Sequence, residues 1–288
     1  MRLAAYAKIN WSLDITGVRE DGYHLMDMVM QPVSLADEIT LSPSPAMRIT
    51  TDGAFFSRAD ESNLAFRAAR AFQEAAGVSD AVSIHVHKRI PIGAGLGGGS
   101  ADAAAVLFGL NRLWGTGLSP RRLEEIGLTI GADVPFCLRG GLTRTTGIGE
   151  LLEDHPCKSS FWLLVCQPCR GLSTREIFAA WQADPAPRPD TAAVLAALEC
   201  GSQEALASAM GNVLEPVSAA RCPEIREACT AMCACGARAA VMTGSGSAVF
   251  GLFRNRADAT GACENLSRKW KQTFLCHTQS DSIRILEE

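Results

Sequence analysis

Residues Pro91 to Ala101 read PIGAGLGGGSA, and no other stretch constrains this chain as tightly. Five of the eleven residues are glycine, and Ser100 closes the run at the foot of an amphipathic segment. Just before it, Val82 to Ile90 (VSIHVHKRI) alternates like a half-buried strand. Strand, glycine turn and helix start in that order leave a concave set of backbone N–H groups aimed at an anion. Glycine is required because a phosphate must approach the main chain more closely than a Cβ allows. A flexible linker would not be held between two such regular elements.

Three phosphate-binding patterns compete for this loop. A Walker A loop is excluded, since no lysine precedes Ser100. The dinucleotide pattern G-x-G-x-x-G is formally met by Gly93, Gly95 and Gly98. It lies deep in the chain, however, and its helix runs into another helix instead of a second parallel strand with a ribose-binding acid. The third pattern, P-x-G-x-G-L-G-x-G-S-A, matches throughout.

The rest of the chain is read around that loop. Its 288 residues suffice for two domains or one large mixed unit. A net charge of -4 argues against a general nucleic-acid surface, so an anionic ligand must be met by local groups. A strand-like, motif-bearing run begins near Ala4, which leaves no room for a targeting segment, and no apolar run spans a membrane. A cytoplasmic protein is expected. Its eleven cysteines, an odd number, are read as reduced thiols acting as small hydrophobes, the Cys166-x-x-Cys169 pair and Cys229, Cys233 and Cys235 among them. His85 and His87 are read as ordinary strand residues.

Strands are expected over Arg2–Thr16 and Met26–Leu41, with a bulge at Pro32, and Asp21-Gly22 marks a turn. Helices are expected over Asn63–Ala76, Ala101–Trp114 and from Ser119 to Ile130, with Ser119 capping and Pro120 at the first position. Phe136–Gly149 reads as strand. A second unit begins near Phe161 with a buried strand, then a loop at Ala183–Pro189, helices over Thr191–Ala209 and Pro223–Cys235, and a strand–turn–strand at Val241–Phe253. Mixed order instead of strict βαβ alternation favours an α+β fold.

At this point the loop closely resembles that of the GHMP kinases, the superfamily of galactokinase, homoserine kinase and mevalonate kinase. A-x-A-K-I-N at Ala5–Asn10, I-T-G-x-R-x-D-G-Y-H at Ile15–His24, G-A-D-V-P-F at Gly131–Phe136 and T-G-S-G-S at Thr243–Ser247 follow in order. The set is similar to the branch that phosphorylates the 2-hydroxyl of 4-diphosphocytidyl-2-C-methyl-D-erythritol in non-mevalonate isoprenoid synthesis. The resemblance covers residues 4–253 and is weakest in the helices of the second unit. It implies two domains. Residues 1–157 would form a ribosomal-protein-S5-like nucleotide-binding domain and residues 158–288 an α/β sandwich, with the active site in the cleft between them.

The resemblance also implies roles. Pro91, Ile92, Gly93, Ala94, Gly95, Leu96, Gly97, Gly98, Gly99, Ser100 and Ala101 would wrap the phosphates of ATP, and Asn63 would contact adenine. Asp133 would take the proton of the substrate hydroxyl, with Lys8 steadying it and drawing charge from the transferring group. Asn10, Tyr23, His24, Thr174 and Phe178 would hold the cytidine diphosphate sugar alcohol. Tyr23 and Phe178 would sandwich the pyrimidine while His24 bonds its edge. Blander roles exist for the same residues: a snorkelling Lys8, Asp133 and Asn63 as helix caps, Phe178 as core. Magnesium is expected with ATP, yet no carboxylate pair marks a metal site. Lys88 and Arg89 would border the nucleotide. A monomer or weak homodimer is expected. The alternatives are a homoserine- or mevalonate-type kinase, which has no base for the Tyr23-His24 pair to stack on, and a non-catalytic nucleotide sensor.

Overall fold

Two long antiparallel strands joined by the Asp21-Gly22 turn form the spine of the structure. They are β1 (Arg2–Val18) and β2 (His24–Ser44). Then come β3 (Arg48–Gly53), α1 (Leu64–Ala76), β4 (Ala81–Lys88), α2 (Gly98–Leu113), α3 (Pro120–Ile130), α4 (Val134–Arg139), β5 (Leu142–Gly147) and β6 (Leu151–His155). The second part holds β7 (Trp162–Cys166), α5 (Thr174–Ala180), α6 (Thr191–Cys200), α7 (Gln203–Ala209), β8 (Gly211–Asn212), α8 (Glu215–Arg221) and α9 (Glu224–Ala234). It ends with β9 (Ala239–Met242), β10 (Val249–Phe253), α10 (Arg256–Leu266), β11 (Thr273–His277) and β12 (Ile283–Glu287). This computed structural model describes residues 1–157, 159–183 and 188–288. Residues 184–187 of the expected loop, and residue 158 at the expected domain boundary, lie outside the described residues.

The first sheet runs β12-β1-β2-β4-β3, with β5 and β6 extending from β2 and β8 on β1. The second is antiparallel, β11-β7-β10-β9. The last strand returns to the first sheet, so the chain ends beside where it began. Helices α1 and α2 pack on one face of the first sheet, and α3 and α4 pack against these helices. Trp11 fills the space between the sheets and meets Phe161 and Phe250 edge-on, at ring separations of 5.7 and 5.4 Å.

Two bulges in β1 decide which residues reach the site. The pairing with β2 shifts register between Tyr6 and Lys8 and again between Asn10 and Ser12. Each shift reverses the side on which alternate residues point. Leu3, Ala5, Leu13 and Ile15 therefore join the core under the helices, whereas Ala7, Ile9 and Trp11 join the core between the sheets. Within that reversed segment, Lys8 and Asn10 share the helix side with the flanking apolar residues.

Local rules hold for most helices. Asn63 caps α1 by accepting from Ala65 N at 2.9 Å, and Ser119 caps α3 through Arg122 N. Three expectations are corrected. Helix α2 starts at Gly98, inside the glycine run, not at Ala101. The first part of Phe136–Gly149 is the end of α4, because Pro135 sits in a first turn where its missing N–H costs nothing and Gly140 then stops the helix. The segment Thr191–Ala209 is two helices, since Gly201 ends α6 in a left-handed conformation and Ser202 caps α7.

The cysteine expectation is corrected as well. Cys169 is joined in a disulfide to Cys222, across 53 residues, and nine cysteines are free. Cys166, its neighbour in sequence, lies on β7 inside the core and cannot turn toward it. His85 and His87 are half-exposed strand residues, and both face Asp52 on β3.

Candidate active site

The glycine loop lines a cleft of about 770 Å³ between the helices of the first part and the second glycine turn. Its carbonyls are bonded to protein on the far side. Ile92 O accepts from Gln167 Nε2, Gly93 O from Leu172 N, Ala94 O from Ala248 N and Leu96 O from Lys8 N. Three of these four donors come from the second part of the chain. With its carbonyls so occupied, the loop is left with N–H groups for a ligand. Helix α2 adds to them. Its N-cap is Gly97, which has no side chain to cap with, so the first-turn N–H groups stay free for an anion. Gly97 adopts φ +68°, and a Cβ there would stand 3.0 Å from Lys8 Cγ. Ala94 sits buried in an ordinary conformation.

The second glycine turn, Thr243 to Ser247, is clamped from several sides. Asn212 Nδ2 donates to Met242 O and Gly244 O, and Ser218 Oγ donates to Ser245 O. Asn10 N donates to Thr243 Oγ1 at 3.0 Å, which ties the bulged part of β1 to this turn.

Lys8 and Asp133 meet here. Lys8 Nζ lies 3.7 Å from Asp133 Oδ2 and donates to Asn10 Oδ1 at 2.7 Å. Lys8 is 4% exposed, and its stem is packed against the loop. Asp133 stands at the N-cap of α4, yet its carboxylate makes no capping bond. It keeps 34% exposure and faces the cleft. A capping position whose side chain declines to cap leaves a carboxylate free for a ligand.

The substrate residues divide. Asn10, Thr174 and Phe178 line the cleft, and Thr174 Oγ1 bonds Ser245 Oγ at 2.8 Å. His24 packs its ring on Phe178 at 5.4 Å and on Trp181 at 5.8 Å. Tyr23 stands 60% exposed in the turn beside it, and the ring that faces Phe178 is that of His24. Asn63 borders the cleft, but its side chain is committed to its own cap and to Arg58 O. Ala101 is buried within α2. Lys88 lines the cleft, but its ammonium is paired with Asp37 and Asp102 and is almost buried. Arg89 points to solvent and gives only its backbone N–H to Asp37.

Some cleft residues escaped sequence reasoning. Phe56 and Leu64 border Asn63 and offer apolar surface. The signal was an aromatic pair, Phe55-Phe56, inside a polar glycine- and aspartate-containing loop. Asp37 and Asp102 carried no local signal. Among the described residues, one group of three His, Cys, Asp or Glu side chains converges, Cys169, Cys222 and Glu224, away from the cleft, and its two sulfurs are already joined in the disulfide.

Comparison with known proteins agrees with this geometry. Residues 63–141 match the GHMP kinases N terminal domain, and residues 194–272 match the GHMP kinases C terminal domain. A 4-diphosphocytidyl-2-C-methyl-D-erythritol kinase of Alkaliphilus metalliredigens is 42% identical, with 97% of each chain covered. One from Clostridioides difficile is 36% identical over 100% of this chain and 98% of its own. A crystal structure of 4-(cytidine 5'-diphospho)-2C-methyl-D-erythritol kinase superposes with TM-score 0.82 at 36% identity, covering 96% of this chain and 99% of that one. A homoserine kinase structure from Cytophaga hutchinsonii shares the fold alone, with TM-score 0.80 at 18% identity over 99% of this chain and 97% of its own. The chain belongs to the GHMP kinases, in the family of the 4-diphosphocytidyl-2-C-methyl-D-erythritol kinases.

Proposed function

We propose that this chain transfers the γ-phosphoryl group of ATP to the 2-hydroxyl of 4-diphosphocytidyl-2-C-methyl-D-erythritol. The observation that carries the mechanism is the Lys8–Asp133 pair, 3.7 Å apart at the rim of the N–H-lined loop. Phosphoryl transfer asks mainly for positioning and charge compensation. The loop and the first turn of α2 hold the phosphates. Asp133 accepts the proton of the attacking hydroxyl as the new O–P bond forms. Lys8, fixed by Asn10, pairs with Asp133 and balances charge on the transferring group. The bond to ADP breaks opposite the attack, and its negative charge stays under the loop N–H groups. Magnesium bound with ATP would add charge compensation at the phosphates.

The acceptor follows from the relatives' name and from the ring cluster. His24, Phe178 and Trp181 form an aromatic wall at the cleft edge, suited to a flat base. In this reading the cytidine contacts fall to His24 and Phe178, with Tyr23 closing from the turn. Asn63 holds the adenine end in place through its cap, and Phe56 and Leu64 supply apolar contact. No helix among the described residues is long and apolar enough to cross a membrane, in keeping with a cytoplasmic enzyme. The large exposed apolar side chains are scattered over separate elements, which suits a monomer or weak homodimer.

The test is ADP release from MgATP with each candidate alcohol. Turnover with the cytidylyl substrate alone is expected. Turnover only with homoserine or mevalonate would overturn the acceptor, and tight ATP binding without turnover would favour a sensor. Asp133→Asn should lower kcat by about 10²-fold or more. Retained kcat would remove Asp133 from the chemistry.

A further inference from the structure

Beneath the glycine loop lies a buried charge cluster that the mechanism does not use. Asp37 comes from β2, Lys88 is the last residue of β4, and Asp102 lies on α2. Lys88 and Asp102 thus bracket the loop, one on each side in sequence. Their side chains are almost sealed, with exposures of 3% for Lys88, 0% for Asp37 and 4% for Asp102. Lys88 Nζ bonds Asp37 Oδ2 and, at 2.8 Å, Asp102 Oδ2. Asp37 Oδ1 also accepts the backbone N–H groups of Arg89 and Ile90, at 2.6 and 2.8 Å. Asp102 Oδ1 is buried and has no partner.

The count of donors decides where the charges sit. One ammonium faces two carboxyl groups in a nearly water-free site at the floor of the cleft. Asp37 takes three donors, the environment of an ionised carboxylate. Asp102 takes one and leaves an oxygen bare. A second buried anion without a cation or donor is far more costly than a protonated acid. We propose that Asp37, Lys88 and Asp102 form a positioning brace under the ATP loop, with Asp102 a neutral acid, so that both loop ends are fixed and no uncompensated negative charge lies beneath the phosphates.

This rests on the ATP-dependent reading above and deepens it. Burial pushes the Asp102 carboxyl up to about 8, with Lys88 pulling it down and the charge of Asp37 pushing it further up. Burial works against the Lys88 ammonium, but the charges of Asp102 and Asp37 outweigh it and hold its pKa above the usual lysine range. Another titratable group that senses Asp102 is the Cys137 thiol of α4, which burial holds far above its usual range. Lys8 on β1 and Asp133 at the start of α4 act on that same thiol. Above pH 8 the brace gains a negative charge directly under the anion site, so ATP binding should weaken there.

The test compares wild type, Asp102→Asn and Lys88→Met for ATP KM, ADP binding by calorimetry, alcohol KM and Tm, from pH 6.5 to 9. In wild type, ATP KM should rise several-fold above pH 8 while the alcohol KM stays flat. Asp102→Asn, neutral at every pH, should keep ATP KM at pH 7 within about threefold and lose that rise. Lys88→Met should raise ATP KM by about tenfold or more at pH 7, the scale of a lost charge-assisted hydrogen bond. If Asp102→Asn follows the wild-type pH curve, the neutral acid is overturned. If Lys88→Met folds with ATP KM within twofold of wild type, the brace is overturned. Should Lys88→Met fail to fold, the pH curve of Asp102→Asn decides. A wild type that binds neither ATP nor ADP overturns the ATP reading itself, and the brace with it.

Discussion

The two glycine turns interlock, and Gly95→Ala would force them apart. Gly95 has φ +76°, and a Cβ there would lie 2.2 Å from Thr243 O and 3.1 Å from Gly246 N. Thr243 O would have to retreat by roughly 0.8 Å or more to reach even a tight contact. It cannot do so freely. It accepts from Gly246 N at 3.0 Å, and the next carbonyl, Gly244 O, is held by Asn212. The left-handed backbone costs an alanine about 1 kcal/mol, and the overlap adds about 1–3 kcal/mol, for a total of roughly 2–4 kcal/mol. In a chain of this size that is a fall in Tm of very roughly 4–16 °C. Displacing the turn also moves the loop N–H groups, so kcat/KM for ATP should fall by about 10- to 100-fold. Gly115→Ala is the control. Gly115 has φ +60° with nothing within 4 Å, so it isolates the backbone cost of about 1 kcal/mol. Thermal unfolding and ATP kinetics of the two variants, side by side, measure the difference. Equal Tm shifts and equal kcat/KM would refute the claim that contact between the turns shapes the ATP site.

Other outcomes follow from the same structure. Tyr23→Ala should raise KM for the cytidylyl alcohol less than His24→Ala does, because His24 is the ring packed on Phe178, and both should spare ATP KM; the reverse order in steady-state kinetics would return the base contact to Tyr23. The Asp102 carboxyl, raised when folded, keeps a proton that the unfolded chain sheds above its ordinary value of 3.8. Its stability contribution is therefore complete below pH 4 and is lost as pH climbs to about 8. Denaturant titrations should show Asp102→Asn gaining on wild type through that window, and a constant difference would contradict it. Alkylation of the denatured, unreduced protein should label nine cysteines, since Cys169 and Cys222 are joined; eleven labels would show both thiols free.

Much of the site was legible because short-range chemistry writes it. The glycine run between a strand and a helix announces an anion site wherever it occurs. Asn63 and Ser119 cap their helices as their positions require, and Asp21-Gly22 makes its turn. Asn10 stood out as a polar residue within a strand pattern, whereas Lys8 and Asp133 read as an ordinary strand lysine and a helix cap until the ordered motifs gave them roles. Ordered beside the loop, their motifs indicated a kinase of one family before any tertiary contact was known.

Tertiary structure decided the rest, for reasons that lie outside any local window. The bulges that turn Lys8 and Asn10 toward the helices depend on register against β2, and strict alternation read from the sequence would not reverse at Tyr6 and again at Asn10. Lys88 stood in sequence just before the loop with no partner in view; only the approach of β2 and α2 supplies the two carboxyl groups that pair with it. That Tyr23 is exposed in its turn while the His24 ring packs on Phe178 was likewise set by tertiary structure. Even the glycine loop, complete in sequence, owes its outward N–H groups to donors from Gln167, Leu172 and Ala248 that bind its carbonyls from behind. Residue type fixes what a group can do. Its partners, brought from dozens or hundreds of residues away, fix which way it faces and what charge it carries.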